Sequence, residues 1–285
     1  MGARLQDAGF DVLANPFGTL YNPASLAAAV ERLDSARPFT REECVEMGAG
    51  AGRVCSFSHH TSFARPTAEE FLAYANARLI EDAARWRTCK WVLLTLGTAW
   101  VWRALERPGQ PVVAHCLKRP AREFAHELLS VEACTELLRG IVEGHPDKQF
   151  ILTVSPIRHL GAGAHANTLS KSTLHLAVEN LDAAYFPAYE ILMDELRDYR
   201  FYREDMLHPS AQAVEYIWQQ LVDHYFSPAA KQFLQEWAPL KAALNHRPFN
   251  PDSDEYRKFL ADTKAKAEAL REKTLATLRH SYPQQ

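Results

Sequence analysis

Short apolar runs alternate with amphipathic segments along most of this chain. Two runs, at residues 91–96 and 149–154, are continuously apolar or β-branched and are followed by Gly97 and Ser155-Pro156. Such runs are typical of strands buried on both faces of a sheet. With two weaker runs, four strands are predicted, at residues 10–13, 91–96, 149–154 and 184–186.

Helical patterns separate these predicted strands. Residues 67–86 have an acidic first turn and apolar helical spacing, and residues 130–143 begin at Ser130, a favourable N-cap. Alternating strands and helices indicate an α/β fold built on a parallel, doubly wound sheet. A further amphipathic helix follows Pro209, whose ring suits the first helical position.

The C-terminal part differs in character. Residues 254–280 are rich in Lys, Glu, Ala and Leu and carry a sparse apolar stripe. This pattern predicts a solvated helix that packs on a neighbour. We therefore divide the chain into a main domain at residues 1–227 and a helical extension at residues 228–285.

Charge and cysteine content narrow the class of protein. The chain has 32 basic and 35 acidic residues and a net charge of −3, which does not predict a nucleic-acid partner. Its apolar runs are too short for a membrane span, and its N-terminus lacks the apolar core of a signal peptide. Five scattered cysteines without zinc spacing favour reduced thiols. We predict a cytoplasmic protein without a cofactor or a membrane partner, and the oligomeric state stays open.

Candidate chemistry follows the predicted strands, because ligands of open α/β sheets bind beyond the carboxyl ends of the strands. The sharpest candidate is Asp205, three residues before His208 in a turn. Such an aspartate can fold back to accept the imidazole N–H and so orient a general base. Pro209 restricts His208 to an extended backbone. The alternative is a surface aspartate beside a histidine of an N-capping loop.

The other candidates are less specific. Ser56 and Ser62 flank His59 and His60, and Ser155 ends a predicted strand, but none of these serines lies in a Gly-x-Ser-x-Gly elbow. Arg158 could hold an anion or could form a structural ion pair. Histidines are numerous, yet no two are spaced with a nearby acid as helical metal ligands, so no metal site is predicted.

Six ordered blocks together resemble the GSCFA-domain family, which is similar to the SGNH/GDSL-like hydrolases. The resemblance covers roughly residues 2–227. The blocks are NPFGTLYNP at 15–23, SHHTSF at 58–63, LGTAWV at 96–101, TVSPIRHL at 153–160, LSKSTL at 169–174, and YRFY at 199–202 running into DMLHPS at 205–210.

The resemblance implies a three-layer α/β fold and serine-type ester chemistry on a small ester or acylated substrate. It makes His208 the general base and Asp205 its partner, and it places Gly18 and Gly97 near the oxyanion. The oxyanion asparagine of the wider superfamily has no counterpart at Ala99, so the Thr98 hydroxyl or backbone amides would substitute.

The family's nucleophile block and first strand would precede residue 1. We therefore expect this chain to be an N-terminally truncated form with little or no activity. The alternative is a non-catalytic module that binds an acidic or carbohydrate-like ligand through Arg158, His159, the 15–23 loop and Trp100. The substrate-binding candidates are Asn22, His60, Arg158 and His159. A third reading, an interaction-only role, would rest on residues 250–285.

Overall fold

The computed structural model describes residues 1–250 and 252–281, with side chains described as far as residue 274. Contacts divide the chain into two units, which we name the core unit (Asn15–Val214) and the terminal unit (Met1–Ala14 with Glu215–Gln285). The division by contacts therefore falls at Glu215, and it groups the first fourteen residues with the C-terminal part. The boundary predicted after residue 227 lies inside the terminal unit.

Helices and strands alternate through the core unit, and helices make up the terminal unit as far as it is described. The α-helices are α1 Gly2–Asp7, α2 Pro23–Ser35, α3 Ala68–Thr88, α4 Val131–Glu143, α5 Ala164–Glu179, α6 Ala188–Glu190, α7 Ala211–Tyr225, α8 Pro228–Leu244 and α9 Asp254–Ser281. The strands are β1 Val45–Glu46, β2 Val54–Cys55, β3 Trp91–Leu96, β4 Trp100–Ala104, β5 Val112–Val113, β6 Phe124–Leu128, β7 Gln149–Val154 and β8 Ala184–Tyr185.

A parallel sheet in the order β3-β7-β8 lies at the centre of the core unit. Trp91 pairs with Gln149 and Leu96 with Val154, so β3 and β7 are in register along their whole length. All residues of β7 after Gln149 are buried, as expected for a strand covered on both faces. Three predicted strands are thus confirmed, and the fold is mixed α/β with a parallel sheet.

The winding of the sheet differs from the prediction within the described residues. The order β3-β7-β8 follows the chain in one direction, whereas a doubly wound sheet reverses its order at a switch point. The connection from β3 to β7 contains α4, and the connection from β7 to β8 contains α5. Helix α4 packs against both α2 and α5, and this layer covers the sheet's apolar side chains.

Two antiparallel sheets were not predicted. One pairs β1 with β2, and the other has the order β5-β4-β6. Strand β4 begins at Trp100, directly after the loop that follows β3, and Trp100 lies opposite Leu128. Trp100, named above as a candidate for ligand binding, is therefore the first residue of a strand.

The strand predicted at residues 10–13 is wrong. This segment has no regular secondary structure. The Phe10 ring instead contacts two other rings of the terminal unit, edge-on to Phe226 at 5.4 Å and tilted against Phe233 at 5.2 Å. Aromatic packing, rather than strand pairing, thus explains the apolar pattern at this position.

The helix after Pro209 begins later than predicted. Helix α7 starts at Ala211, and the Ser210 hydroxyl accepts a hydrogen bond from the Ala213 amide at 3.3 Å. Pro209 does not occupy the first helical position, because it pairs with Tyr202 in an antiparallel bridge. Proline has no amide hydrogen to donate, and the hydrogen bonds of the bridge are made by the neighbouring residues, from the Arg203 amide to the His208 carbonyl and from the Ser210 amide to the Phe201 carbonyl.

The predicted C-terminal helix is confirmed as α9. It packs against α8, and its buried residues Ala267 and Leu270 meet Phe233 and Trp237 of α8. The rest of the described helix is mostly exposed, as a sparse apolar stripe requires. The Trp237 indole also donates a hydrogen bond to the Asp7 carbonyl at 3.2 Å, which ties α8 to the first turns of the chain.

The sequence predicted reduced thiols, and its apolar runs predicted no membrane-spanning segment. All five cysteines are free, and burial raises the pKa of Cys55 and of Cys134 to about 11. These two buried thiols therefore stay protonated at neutral pH. Of the helices that the structure describes, none is at once long enough and apolar enough to cross a membrane.

The central strand offers a direct test of the fold. Leu152 is 0% exposed in the middle of β7, whereas Leu176 of α5 is 56% exposed. Leu152→Ala is expected to lower the free energy of unfolding by about 2–5 kcal/mol, because it removes buried methyl groups and leaves a cavity. Urea denaturation measures the change, with Leu176→Ala as the matched control. Equal losses in the two variants would contradict the buried position of β7.

Candidate active site

The segment that carries Asp205 and His208 is a closed loop. The Arg203 amide donates to the His208 carbonyl at 2.8 Å, and the Ser210 amide donates to the Phe201 carbonyl at 2.7 Å. Met206 lies at the turn with a φ of 58°. The loop is thus closed by backbone hydrogen bonds, which place Asp205 and His208 on either side of its turn.

Asp205 and His208 make the contact that their spacing predicts. The Asp205 Oδ2 atom lies 2.7 Å from His208 Nδ1, and Oδ1 accepts the amides of Leu207 at 2.8 Å and His208 at 2.9 Å. The bonds from the His208 and Leu207 amides, and then from the imidazole, lower the pKa of Asp205 to about 2. An ionised carboxylate only accepts, so Nδ1 carries a proton and the neutral ring presents Nε2 as its base.

Both side chains of the pair are accessible. The His208 side chain is 48% exposed and that of Asp205 is 44% exposed. A base that acts on a substrate has to be reached by it, so this exposure is compatible with catalysis. It also means that the ion pair adds little to stability, because solvent screens it.

Arg158, four residues after the end of β7, supports this loop. Its guanidinium donates to the Met206 carbonyl at 3.2 Å and to the Tyr202 hydroxyl at 3.0 Å, and it stacks 4.3 Å from the Tyr202 ring centroid. Its amide donates to the Leu207 carbonyl at 3.4 Å. Neither sequence interpretation of Arg158 anticipated these partners, a carbonyl and a phenol. A contact between Arg158 and substrate stays a prediction.

Removing this support should loosen the loop. In Arg158→Gln, we expect the Leu207 and His208 amides to exchange with solvent about 3- to 10-fold faster, because a hydrogen bond contributes about 0.5–1.5 kcal/mol. Hydrogen–deuterium exchange read by NMR measures the rates. Arg200→Gln is the control, since Arg200 bonds Asp198 outside the loop. Unchanged exchange in Arg158→Gln would show that the loop is held without it.

The backbone after β3 meets the loop that precedes α2. The Gly97 and Thr98 amides both donate to the Tyr21 carbonyl, at 2.7 and 2.9 Å. A Cβ on Gly97 would lie 3.2 Å from that carbonyl oxygen and 3.3 Å from His159 Nε2, so the close approach favours glycine. The oxyanion role predicted for these amides stays a prediction, and an oxyanion there would have to replace the Tyr21 carbonyl.

The hydroxyl of Thr98 is also engaged. It lies 2.9 Å from the Ser170 hydroxyl and accepts the Trp100 amide at 3.0 Å. Ser170 in turn accepts the Ala99 amide at 2.8 Å. These bonds fix the turn between β3 and β4, so the predicted use of the Thr98 hydroxyl as an oxyanion donor would compete with them.

Gly18 and Asn22, the two candidate site residues of the 15–23 loop, make hydrogen bonds to nearby residues of the chain. The Gly18 amide donates to the Asn15 carbonyl at 2.8 Å, and Gly18 has a φ of 81°. Asn22 is buried, and its Oδ1 accepts the Ser25 amide at 2.8 Å as the N-cap of α2. Their predicted contacts with an oxyanion and a substrate stay predictions, and the local role of Asn22 is to begin a helix.

Four rings from separate loops meet in an array that we name the imidazole cluster: Tyr21, His60, His115 and His159. The ring centroids of His60 and His115 are 4.9 Å apart, Tyr21 lies 5.7 Å from His115, and Tyr21 lies 5.6 Å from His159. Two predicted substrate-binding residues, His60 and His159, are therefore linked through two residues that were not singled out.

Lys171 of α5 is the most unexpected residue at this edge of the sheet. It is 2% exposed, and its Nζ donates to the Gly97 and Ser155 carbonyls, both at 2.6 Å. These carbonyls directly follow β3 and β7. Burial lowers the pKa of Lys171 to about 7. Lys171 lies three residues before Leu174 and seven before Val178, so it is on the apolar face of α5. A lysine on an apolar helix face was the sequence signal for this residue, and it was not used in the prediction.

The lysine also influences His159. Burial first, and then the charges of Lys171 and His208, lower the pKa of His159 to about 4. His159 is therefore neutral at physiological pH, and it lies close enough to His208 to be affected by a charge there. The imidazole cluster and the Asp205–His208 pair thus belong to one electrostatic environment.

The candidate serines each have another partner. The Ser56 hydroxyl lies 2.7 Å from Nδ1 of His59, a buried ring whose pKa burial lowers to about 3. The Ser62 hydroxyl lies 3.0 Å from His60 Nδ1, and that of Ser155 accepts the Ile157 amide at 3.2 Å. Among the described side chains, at residues 1–250 and 252–274, no serine hydroxyl hydrogen-bonds His208, and no three His, Cys, Asp or Glu side chains are grouped to hold a metal.

The fold and the site define an α/β protein with an Asp–His pair held beside the carboxyl end of a central parallel strand. The model of the GSCFA family matches residues 1–221, and the chain therefore belongs to the GSCFA family. A second model, described as the C-terminal domain of GSCFA domain proteins, matches residues 237–278, which include the C-terminal half of α8 and most of α9. No curated protein and no solved structure matched the chain.

Proposed function

We propose that this chain carries the acid–base part of an ester-cleaving or acyl-transferring site of SGNH type, with His208 as general base and Asp205 as its orienting partner. The 2.7 Å bond between Asp205 Oδ2 and His208 Nδ1 carries the proposal. Two backbone amides hold the second carboxylate oxygen, so the carboxylate is fixed before any substrate arrives. Pre-organisation of this kind is what an orienting aspartate contributes to catalysis.

The proposed proton transfers use the two nitrogens of the His208 ring differently. His208 Nε2 takes the proton of a nucleophilic hydroxyl as that oxygen bonds to the acyl carbon, and Nδ1 keeps its proton on the Asp205 side. The imidazolium then gives the Nε2 proton to the departing alkoxide, which leaves as an alcohol. Asp205 stays ionised throughout, because its pKa is about 2.

None of the three candidate serines is assigned as the nucleophile. Ser56 is buried beside a neutral histidine, Ser155 is buried at a strand end, and Ser62 bonds His60 rather than His208. We propose that the hydroxyl comes from a residue other than these three.

Fluorophosphonate labelling tests the proposal on protein expressed from its full reading frame. The probe bonds covalently to an activated serine, and mass spectrometry of the digested protein locates it. We expect labelling that is lost in His208→Ala and kept in His165→Ala, an exposed histidine at the start of α5. A label on Ser62 or Ser155 would overturn the assignment of the nucleophile, and labelling that survives in His208→Ala would overturn the role of His208.

A second candidate function is binding of a small ligand without catalysis. The imidazole cluster supports it, because four partly exposed rings from separate loops form a polar, aromatic surface. An acidic ligand has less support than a neutral one, since the Arg158 guanidinium bonds Met206 and Tyr202. Ligand binding with no fluorophosphonate label in the full-frame protein would favour this function.

A further inference from the structure

The imidazole cluster has two ring nitrogens whose protonation the structure determines. The Ser62 amide donates to His60 Nδ1 at 3.2 Å. An amide N–H is always a donor, so Nδ1 is unprotonated and the proton of the neutral ring is on Nε2. His60 therefore presents an N–H donor at Nε2, for which no hydrogen-bond partner is found among the described residues.

His115 has the opposite arrangement. Its Nε2 lies 2.8 Å from the Thr19 carbonyl oxygen, which can only accept, so Nε2 carries the proton. Burial lowers the pKa of His115 by more than the bond to Thr19 raises it. The ring is therefore neutral and presents a lone pair at Nδ1. Within the described part of the chain, no hydrogen bond to that atom is found.

Backbone contacts hold both rings in place. The His60 amide donates to the Phe17 carbonyl at 2.9 Å, and a side chain on Gly18 would overlap His60 Cβ. The Ala114 amide donates to the Phe57 carbonyl at 2.7 Å, directly before His115. The two ring centroids lie 4.9 Å apart, so a ring with an open donor and a ring with an open acceptor are held near each other, and pre-arrangement strengthens binding by reducing the entropy lost.

Tyr21 and His159 continue the same surface. Tyr21 is 37% exposed, and its ring lies between those of His115 and His159. His159 is neutral because burial lowers its pKa to about 4, and it lies close enough to His208 to be affected by a charge there. The surface next to the proposed base is therefore made of neutral rings.

We propose that the imidazole cluster selects the substrate of the proposed ester chemistry, and that it recognises an uncharged ester whose alcohol part carries neighbouring hydroxyl groups, such as a polyol or sugar ester. A hydroxyl both donates and accepts, so it satisfies His60 Nε2–H and His115 Nδ1 together. A carboxylate only accepts and would face the His115 lone pair unfavourably. His60 and His115 are the residues that determine specificity, and the inference rests on the proposed function for its chemistry.

Competing esters test this specificity in full-frame protein. The substrates are 1-monoacetylglycerol, n-propyl acetate and acetoxyacetate, which share an acetyl group and differ in the alcohol part. In His60→Phe and in His115→Phe, kcat/KM for monoacetylglycerol relative to n-propyl acetate should fall about 3- to 10-fold, the effect of one neutral hydrogen bond. His165→Phe should keep the wild-type ratio. An unchanged ratio in both cluster variants, or a preference for acetoxyacetate, would overturn the proposal.

A binding measurement separates this inference from the proposed catalysis. Ring ¹⁵N shifts of His60 and His115 are followed in the wild-type protein during titration with glycerol, 1-propanol and glycolate, the alcohol parts of the three esters. We expect glycerol to shift both rings at concentrations where the other two do not. If no ester is hydrolysed but glycerol shifts these rings, the proposed function fails and the recognition stands. If glycerol leaves the rings unchanged, the recognition fails whatever the esterase result.

Discussion

His208→Ala is expected to lower kcat for ester hydrolysis by the full-frame protein by at least about 10³-fold, because it removes the proposed proton acceptor. Asp205→Asn is expected to lower kcat by about 10²- to 10⁴-fold. The amide NH₂ can donate to His208 Nδ1, which would move the ring proton to Nε2 and block the base. Steady-state hydrolysis of p-nitrophenyl acetate measures both effects.

Stability should change little in these two variants, which separates catalysis from folding. Both side chains are close to half exposed, and a contact between exposed polar side chains adds little to the free energy of unfolding because solvent screens it. Thermal unfolding is the control for both variants. Wild-type kcat in Asp205→Asn would mean that the carboxylate does not set the tautomer of His208.

The pH dependence of the pair has a definite sign. The folded pKa of Asp205 is about 2, below its usual value of 3.8. A depressed carboxyl pKa stabilises the folded loop above the unfolded pKa, and this contribution is lost as pH falls through about 2. Any loss of activity between pH 4 and pH 7 therefore arises from a group other than Asp205. A wild-type kcat profile with an acid limb near pH 2 would instead report titration of the carboxylate.

Gly18→Ala is expected to be the most destabilising of the single glycine changes near the site. Its φ of 81° disfavours any L side chain, and its added Cβ would overlap His60 Cβ. A residue held at such a backbone angle costs about 1–3 kcal/mol, and overpacking adds about 1–3 kcal/mol. We therefore expect a loss of about 2–6 kcal/mol in the free energy of unfolding, measured by urea denaturation.

Gly50→Ala is the matched control for this prediction. Gly50 also has a positive φ, of 64°, but a Cβ there would meet nothing within 4 Å. The backbone cost applies to both variants, and the overlap with His60 applies to Gly18→Ala alone. Similar losses in the two variants would show that the loop yields at no cost, and the His60 ring would then not be held as described.

Local patterns in the sequence predicted the parts of the structure that depend on neighbouring residues. The apolar runs at 91–96 and 149–154 predicted β3 and β7, because a strand buried on both faces has no polar positions to alternate. Ser130 predicted the start of α4 through its side-chain cap. The three-residue spacing of Asp205 and His208 predicted their contact, since a single turn brings them together.

Other features depend on contacts between distant segments. The Tyr21 carbonyl takes the Gly97 and Thr98 amides that were expected to serve an oxyanion. Phe10 packs on rings more than two hundred residues away instead of joining a strand. Lys171 spans the ends of β3 and β7 from a helix that follows them. No local pattern encodes such partners, because they depend on how the strands and helices are placed.

The sequence by itself determined the α/β class, the parallel strands, the family resemblance and the Asp205–His208 contact, because these follow from hydrophobic periodicity and short-range spacing. The tertiary structure alone decided the environment of that contact. It bonded Arg158 to the loop that carries Asp205 and His208, and it brought four rings together in the imidazole cluster. It also buried Lys171, whose charge acts on His159 of that cluster. Burial and long-range hydrogen bonds set the protonation of these groups, and neither can be read from spacing along the chain.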